Sequence, residues 1–192
     1  MARITPLPQS DWSAEMAEFI VGFRSAARGG VLDESRPAGA NLLGTMARYP
    51  GLSKAFLAFN GHVLNGSTLS RRDRELLVLR VAAVRQCDYE WAQHTLLARE
   101  AGFTDEEIAR IAEGSESSGW PERDTALLKS VDELLGGGKI TAPTWRVLAG
   151  EFDERQLMDL VFTVGTYAML AMALRSFEIE PEDELVPHLP VR

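Results

Sequence analysis

The fold is decided by residues 71–108, which read RRDRELLVLRVAAVRQCDYEWAQHTLLAREAGFTDEEI. Residues 76–84 are apolar apart from Arg80, and the apolar side chains follow helical rather than strand spacing. A helix that is apolar almost all round is buried on several sides. This segment therefore predicts a central helix that begins after Ser70 and packs inside a helical protein.

The second half of the same stretch carries the stop and start signals of two more helices. A helix beginning near Cys87 is predicted to end at Gly102, because glycine favours the backbone conformation that closes a helix. Thr104 and Glu107 have the spacing of a capping box, which starts a short helix running to about Glu113. Three consecutive helices are thus predicted from one stretch.

The rest of the chain shows the same helical pattern, and no part of it indicates a strand-rich fold. Further helices are predicted over 11–27 with Ser10 as the cap, over 41–48, 52–64 and 121–135, after Pro143, and over 154–176 with Asp153 and Gln156 at its start. We therefore predict an all-α protein of about eight helices that forms a single domain over residues 1–192.

Composition and charge narrow the class of function. The chain has 192 residues, 45% of them hydrophobic, and a net charge of -8, which argues against a nucleic-acid partner. Its single cysteine excludes an intramolecular disulfide. The N-terminus lacks the apolar core of a signal peptide, and the apolar run 160–174 is shorter than the roughly 20 residues that a bilayer requires. We expect a cytoplasmic protein that acts on a small molecule and does not contact a membrane.

The predicted helix 154–176 is apolar on two faces. Leu157, Leu160 and Val164 belong to one face, while Phe162 and Met169 belong to another. Two interpretations stay open at this point. Either a second subunit covers one face, or the helix lies wholly inside its own chain.

Three chemically active side chains share one face of the helix that begins near Cys87. Cys87, Glu90 and His94 stand at positions i, i+3 and i+7, with Tyr89 and Trp91 beside them. A carboxylate and an imidazole on the inward face of an apolar bundle need partners and are candidates for acid–base chemistry. The alternative is that Glu90 and His94 form an ordinary surface pair.

A further acid lies in the preceding apolar helix. Glu75 interrupts the apolar pattern, and an antiparallel packing of the two helices would give it a polar partner near Glu90 and His94. Two carboxylates close together in an apolar site raise each other's pKa, which can leave one of them protonated as an acid. A helix N-terminus lowers the pKa of a thiol at Cys87 and the nearby acids raise it, so the direction of the net shift in that pKa stays open.

The stretch 71–108 resembles the carboxymuconolactone decarboxylase and AhpD-like group of small all-α proteins. The resemblance rests on an acid, a cysteine segment, a histidine, a glycine and a capping box in this order, and it extends more weakly to residues 49–50 and 164–167. It implies an AhpD-like helical bundle and homo-oligomers, often trimers or hexamers. Members of this family run different chemistries on one scaffold, so the resemblance does not fix the activity.

The resemblance also implies roles for individual residues. AhpD-type hydroperoxidases carry two cysteines three residues apart, then a histidine, with a glutamate on the preceding helix. By position, Glu75 matches that glutamate, Cys87 the first cysteine and His94 the histidine, whereas Glu90 stands at the place of the second cysteine. A chain with one cysteine cannot cycle a disulfide between two of its own thiols.

Three functions follow as hypotheses. The first is an enzyme that moves protons to decarboxylate, open or isomerise a carboxylated lactone, with His94 and Glu75 as the proton carriers and Glu90 as their partner. Arg71, Arg74 or Arg80 could hold the substrate's carboxylate, although a structural ion pair is the more common role for such an arginine. Tyr89 and Trp91 are predicted to bind the substrate beside Arg80.

The second hypothesis is a peroxidase or redox sensor that uses Cys87 alone. The third is a non-catalytic oligomeric binding protein. We expect no cofactor and no metal, because the two remaining histidines, His62 and His188, lack ligand spacing.

Overall fold

The computed structural model describes residues 2–27 and 39–190 of the chain. These residues form nine α-helices of seven or more residues and no β-strand, so the predicted all-α fold is confirmed. The helices are α1 Ala14–Ala27, α2 Ala40–Met46, α3 Pro50–Gly61, α4 Arg71–Arg85, α5 Asp88–Glu100, α6 Asp105–Glu113, α7 Glu122–Gly137, α8 Ala142–Glu151 and α9 Glu154–Ser176. Short 3-10 turns occupy Gln9–Asp11 and Asp183–His188, and a π turn occupies His62–Gly66.

The helix starts follow the capping signals of the sequence, because the first N–H groups of a helix need acceptors from outside it. Ser70 caps α4 by accepting a hydrogen bond from the backbone N–H of Asp73 at 3.0 Å. Thr104 and Glu107 form both bonds of the predicted capping box at α6. The predicted starts of these two helices are therefore confirmed.

Several predicted boundaries are wrong, including both ends of α3, which spans Pro50–Gly61 rather than 52–64, and those at α1 and α7 have a clear physical reason. Helix α1 begins at Ala14, after Ser13 rather than Ser10, because Trp12 is extended and separates the 3-10 turn at Ser10 from the helix. The Ser13 hydroxyl then accepts a hydrogen bond from the N–H of Met16. Helix α7 continues to Gly137, and only Gly138, with a φ of 73°, takes the left-handed conformation that ends it.

The chain divides into two compact units, and the candidate site lies in one of them. The first comprises Met1–Ser67 and Ala173–Pro187, with a core that includes Trp12, Met16 and Ile20. The second comprises Thr68–Met172 and His188–Arg192. The single domain over 1–192 stays a prediction, since the division into units does not test it.

Helix α4 is the centre of the second unit. It packs against α5, α6 and α7, and its side chains at residues 76–79 are 0% exposed. This burial confirms the central helix that the apolar run predicted. Its position next to α5 brings the two candidate site helices together.

Helix α9 is buried on one face and exposed on the other. Leu160, Val164 and Tyr167 are at most 1% exposed, whereas Met158 is 61% exposed, so the helix does not lie wholly inside the described chain. Its 23 residues are long and apolar enough to cross a membrane by length and composition, and 56% of its most apolar window is buried. A core helix has these same properties.

Candidate active site

The centre of the candidate site is a buried contact between α4 and α5. Oε2 of Glu75 lies 2.6 Å from Nδ1 of His94, which is the length of a strong charge-assisted hydrogen bond. Glu75 is 0% exposed and His94 is 7% exposed. The antiparallel helix packing therefore gives Glu75 the polar partner that the sequence required.

Arg74 holds the other oxygen of the same carboxylate. Its Nε and Nη2 atoms donate to Oε1 of Glu75 at 3.0 and 2.9 Å, and Arg74 is itself only 8% exposed. Burial by itself raises the pKa of Glu75, but the contacts with His94 and then with Arg74 outweigh it, so the pKa lies below its usual value. Glu75 is therefore a carboxylate at neutral pH.

This carboxylate fixes the chemistry of the His94 ring. Because Glu75 is charged, Nδ1 of His94 carries the hydrogen of the shared bond, so in the neutral form of the ring the lone pair that can accept a proton is on Nε2. The His94 side chain retains 9% accessibility against 1% for Glu75, so the imidazole is the member of the pair that a small molecule can reach. The arrangement suits a base that is oriented by a second, inaccessible group.

Tyr167 of α9 packs against this imidazole. The two ring centroids are 4.8 Å apart and the ring planes meet at 87°, an edge-to-face contact. Burial raises the pKa of the Tyr167 phenol well above its ordinary value, and the charges of Glu75 and Glu90 raise it further. The phenol is therefore neutral and helps to hold the ring in place.

Glu90 is a buried acid without a partner. It is 1% exposed, and neither of its carboxyl oxygens has a hydrogen-bond partner among the residues that the structure describes. Burial raises the pKa of Glu90 well above 4.5. Glu75 and Glu90 thus have pKa shifts of opposite direction, which is the pattern of one acid and one base in the same site.

Cys87 stands immediately before α5. It is 2% exposed and occupies the N-cap position, where its side chain makes no capping hydrogen bond. Glu90 and His94 are four residues apart on α5 and lie along one side of it, whereas Cys87 precedes the helix in an extended conformation. The structure therefore joins Glu75 to His94 directly, and the geometry of α5 adds the second acid.

The residues predicted to bind substrate are occupied by other contacts or buried. Nε of Arg80 lies 2.7 Å from Oδ1 of Asp132, and its Nη1 donates to two carbonyl oxygens at the end of α6. Arg80 follows Glu75 by five residues, which turns it about 140° away around α4. The contact of Arg80 with Asp132 is thus a structural ion pair, the alternative to substrate binding by this arginine. Tyr89 and Trp91 are buried, at 4% and 7% exposure.

Tyr167 is the site residue that sequence reasoning missed. It is the only aromatic hydroxyl in an otherwise apolar helix, and that signal could have found it.

In the described part of the chain no group of three or more His, Cys, Asp or Glu could hold a metal ion. An open groove of about 950 Å³ along residues 139–150 includes none of the site residues.

The segment that carries this site matches a known protein family. Residues 50–132 match the Carboxymuconolactone decarboxylase family, a range that contains Glu75, Cys87, Glu90 and His94. The predicted family resemblance is thereby confirmed. Curated protein sequences give no match to the chain.

Solved structures confirm the AhpD-like fold. A peroxidase-related protein from Ralstonia eutropha JMP134 with an alkylhydroperoxidase AhpD core is 18% identical at a TM-score of 0.75, covering 95% of this chain and 94% of its own. A peroxidase-related protein from Silicibacter sp. TM1040 is 19% identical with the same TM-score and the same coverage of both chains. A variant of the debrominase Bmp8 in complex with 2,3,4-tribromopyrrole is 14% identical at a TM-score of 0.76, covering 96% and 94%. At these identities the likeness concerns the fold.

Glu90, which has no hydrogen-bond partner among the described residues, leads to a prediction about stability. Replacing Glu90 by methionine is expected to raise the free energy of unfolding by about 1–3 kcal/mol, because a buried polar group without a partner is removed. Since the folded-state pKa of Glu90 is raised, its protonated form stabilises the fold fully below pH 4.5, and this contribution is lost as pH rises through the folded pKa. The gain of Glu90→Met over the wild type should therefore grow as pH rises above 4.5.

Urea unfolding at several pH values measures this gain. The matched control is Glu90→Gln, which removes the titration but leaves a buried polar group, so it should flatten the pH dependence with a smaller gain. Destabilisation by Glu90→Met at every pH would contradict the prediction, since it would mean that the carboxyl contributes favourable contacts.

Proposed function

We propose that the chain is an enzyme that transfers protons to and from a small carbonyl compound, with His94 as the base and Glu90 as the acid. The observation that carries the proposal is the 2.6 Å bond between Nδ1 of His94 and the Glu75 carboxylate. This bond leaves Nε2 free to take a proton, and Glu75 stabilises the imidazolium that forms. The reaction class is lactone opening, isomerisation or decarboxylation, and the proposal includes no cofactor.

Each residue has a defined part in the proposed step. For isomerisation or eliminative lactone opening, Nε2 of His94 removes a proton from the carbon next to a carbonyl, and the electron pair of that C–H bond moves to the carbonyl oxygen. For decarboxylation, the C–C bond to the substrate's carboxylate breaks instead, its electron pair moves to the carbonyl oxygen, and CO₂ leaves. The neutral Glu90 carboxyl donates a hydrogen bond to that oxygen or a proton to the product, as a buried acid with a raised pKa can do. Glu75 is a positioning residue, because Arg74 and His94 occupy both of its oxygens.

A carboxylated lactone is the first substrate to test, because the family that matches residues 50–132 takes its name from the decarboxylation of one. The three arginines considered for its carboxylate all lie near acids of the chain. Arg74 binds Glu75, Arg80 binds Asp132, and Arg71 lies 3.9 Å from Glu100. We therefore also include uncharged lactones in the substrate panel.

The experiment follows deuterium exchange from D₂O into the acidic C–H positions of a panel of carboxylated and uncharged lactones by proton NMR. Exchange reports proton transfer even where no net reaction occurs. We expect the wild-type protein and the Cys87→Ser variant to catalyse exchange or turnover of at least one lactone. Absence of both with every lactone, in a folded protein, would overturn the proposal.

A second function uses Cys87 as a peroxidase thiol, and its support is the position of that residue at the N-terminal end of α5, the helix that carries Glu90 and His94. Two of the structural neighbours are peroxidase-related proteins, and a third is a debrominase. In this step the thiolate sulfur attacks the peroxide O–O bond, the sulfur becomes a sulfenic acid, and the alkoxide leaves and takes a proton. An external thiol then reduces the sulfenic acid and forms a disulfide.

Mass spectrometry after treatment with an organic hydroperoxide separates the two functions, together with the rate of Cys87 alkylation against pH. The acid–base function predicts a slowly alkylated thiol and no sulfenic acid. Rapid alkylation at neutral pH, sulfenic acid formation, and thiol-dependent consumption of peroxide that Cys87→Ser abolishes would favour the peroxidase instead. Loss of lactone turnover in Cys87→Ser would also count against the acid–base proposal.

A further inference from the structure

The open groove at the start of α8 is separate from the candidate site. This α8 groove has a volume of about 950 Å³ and is lined by residues 139–142, 145, 146, 149 and 150. Small-molecule sites in proteins have volumes of about 300–1,000 Å³. The α8 groove therefore has room for a small organic ligand.

An aromatic ring is accessible in the α8 groove. Trp145 is 43% exposed and lies on the face of α8 opposite the buried Thr144 and Leu148. Ala142 and Ala149 stand three and four residues from Trp145 on the same face, and their small side chains leave the indole ring accessible. A flat apolar group of a ligand can stack on this ring.

Two cations line the same groove. Lys139 and Arg146 are exposed, and neither forms an ion pair with a residue that the structure describes. The chain has 28 acidic and 20 basic side chains, and both of its other lysines, Lys54 and Lys129, contact a glutamate. None of the residues that line the groove is acidic. The groove is thus a positively charged site on an acidic protein, which is complementary to an anion.

The start of α8 favours a carboxylate over a phosphate. Phosphate sites at helix starts use several free backbone N–H groups, and the second residue of α8 is Pro143, which has none. The carboxylate of Glu133 already accepts the N–H of Thr141 at 2.7 Å and the hydroxyls of Thr141 and Thr144 at 2.8 Å. This negative charge repels a dianion more strongly than a singly charged carboxylate.

We propose that the α8 groove binds a small aromatic carboxylate, whose ring stacks on Trp145 and whose carboxylate pairs with Arg146 and Lys139. A guanidinium can bind both oxygens of a carboxylate, which orients the ring along the groove. For a ligand of this size in an open groove, we expect a dissociation constant on the order of 0.1–1 mM. The inference does not depend on the proposed function, because none of the groove residues belongs to the candidate site.

NMR titration of the full chain with 2-naphthoate tests the site. The signal to follow is the indole N–H resonance of Trp145, which is identified by its absence in Trp145→Phe. The neutral isostere 2-naphthamide has the same ring and no charge. We expect a saturable shift with 2-naphthoate and about fivefold or more weaker binding of the amide, because only the carboxylate forms ion pairs. No saturable shift up to about 10 mM, or equal affinity for the two compounds, would overturn the inference.

Substitutions locate the binding in the groove. Lys139→Gln combined with Arg146→Gln should weaken 2-naphthoate about tenfold and leave 2-naphthamide unchanged, while Trp145→Ala should weaken both. These side chains are exposed, so the fold should be retained. The matched control is Arg155→Gln, which removes an exposed arginine of α9 outside the groove and should change neither affinity. An unchanged affinity in the double variant, or an equal loss per charge in Arg155→Gln, would overturn the inference.

Discussion

Replacing Glu75 by leucine is expected to lower the free energy of unfolding by about 3–5 kcal/mol at pH 7. The reason is that Arg74, 8% exposed, and His94, 7% exposed, would both lose the carboxylate that they contact. A buried guanidinium and a buried imidazole that lose this charged partner cost more than the apolar leucine gains. Urea unfolding of the purified wild type and variant measures the difference.

The pH dependence of this loss has a definite sign. The folded-state pKa of Glu75 is lowered, so its contribution to stability is present above pH 4.5 and is lost as pH falls through the folded pKa. The gap between the wild type and Glu75→Leu should therefore narrow in acid. This is the opposite direction to the effect expected at Glu90.

Two controls frame the measurement. Glu116→Leu makes the same substitution in an exposed pair, where Glu116 is 88% exposed and lies 3.7 Å from Lys129, and it should change stability by less than about 0.5 kcal/mol. Glu75→Gln keeps a hydrogen-bond acceptor for His94 and should be intermediate. If Glu75→Leu lowered the free energy of unfolding by less than about 1 kcal/mol, the prediction that the contacts of Glu75 with Arg74 and His94 stabilise the fold would be contradicted.

The second large effect is expected in catalysis. Replacing His94 by glutamine should lower the rate of lactone turnover or deuterium exchange by about 10²–10⁴-fold, because the group that accepts the proton is removed. Glutamine can still fill much of the space and offer an amide to Glu75, so the fold should be retained. The rates of the purified variants with the substrate found in the NMR panel provide the test.

Substitution of a histidine outside the candidate site shows whether the loss of rate is specific to His94. His62 is exposed in the π turn after α3, and His62→Gln should keep the wild-type rate. Glu75→Gln combined with His94→Gln should be little slower than His94→Gln alone, since Glu75 is proposed to act through the imidazole. Independent, additive effects of the two substitutions would argue that Glu75 acts separately.

Local signals account for most of the fold. Capping at Ser70 and Thr104 involves atoms within three residues along the chain, so the starts of α4 and α6 could be predicted from sequence. The start of α1 was misplaced, because Ser10 and Ser13 are both competent caps and the extended conformation of Trp12 decides between them. A choice between equivalent nearby caps depends on what the flanking residue packs against.

The shared face of Glu90 and His94 is fixed by the sequence alone, because a helix repeats every 3.6 residues whatever surrounds it, whereas Cys87 lies just before the helix in an extended conformation. The presence of an acid in the apolar α4 is equally visible in the sequence. Tertiary structure decided the partners. Glu75 contacts His94 and Arg74, and Arg80 forms an ion pair with Asp132. Tyr167, which packs against His94, belongs to a helix more than 70 residues further along the chain. Such contacts, and the lack of any for Glu90 among the described residues, depend on how separate helices pack, which no local pattern encodes.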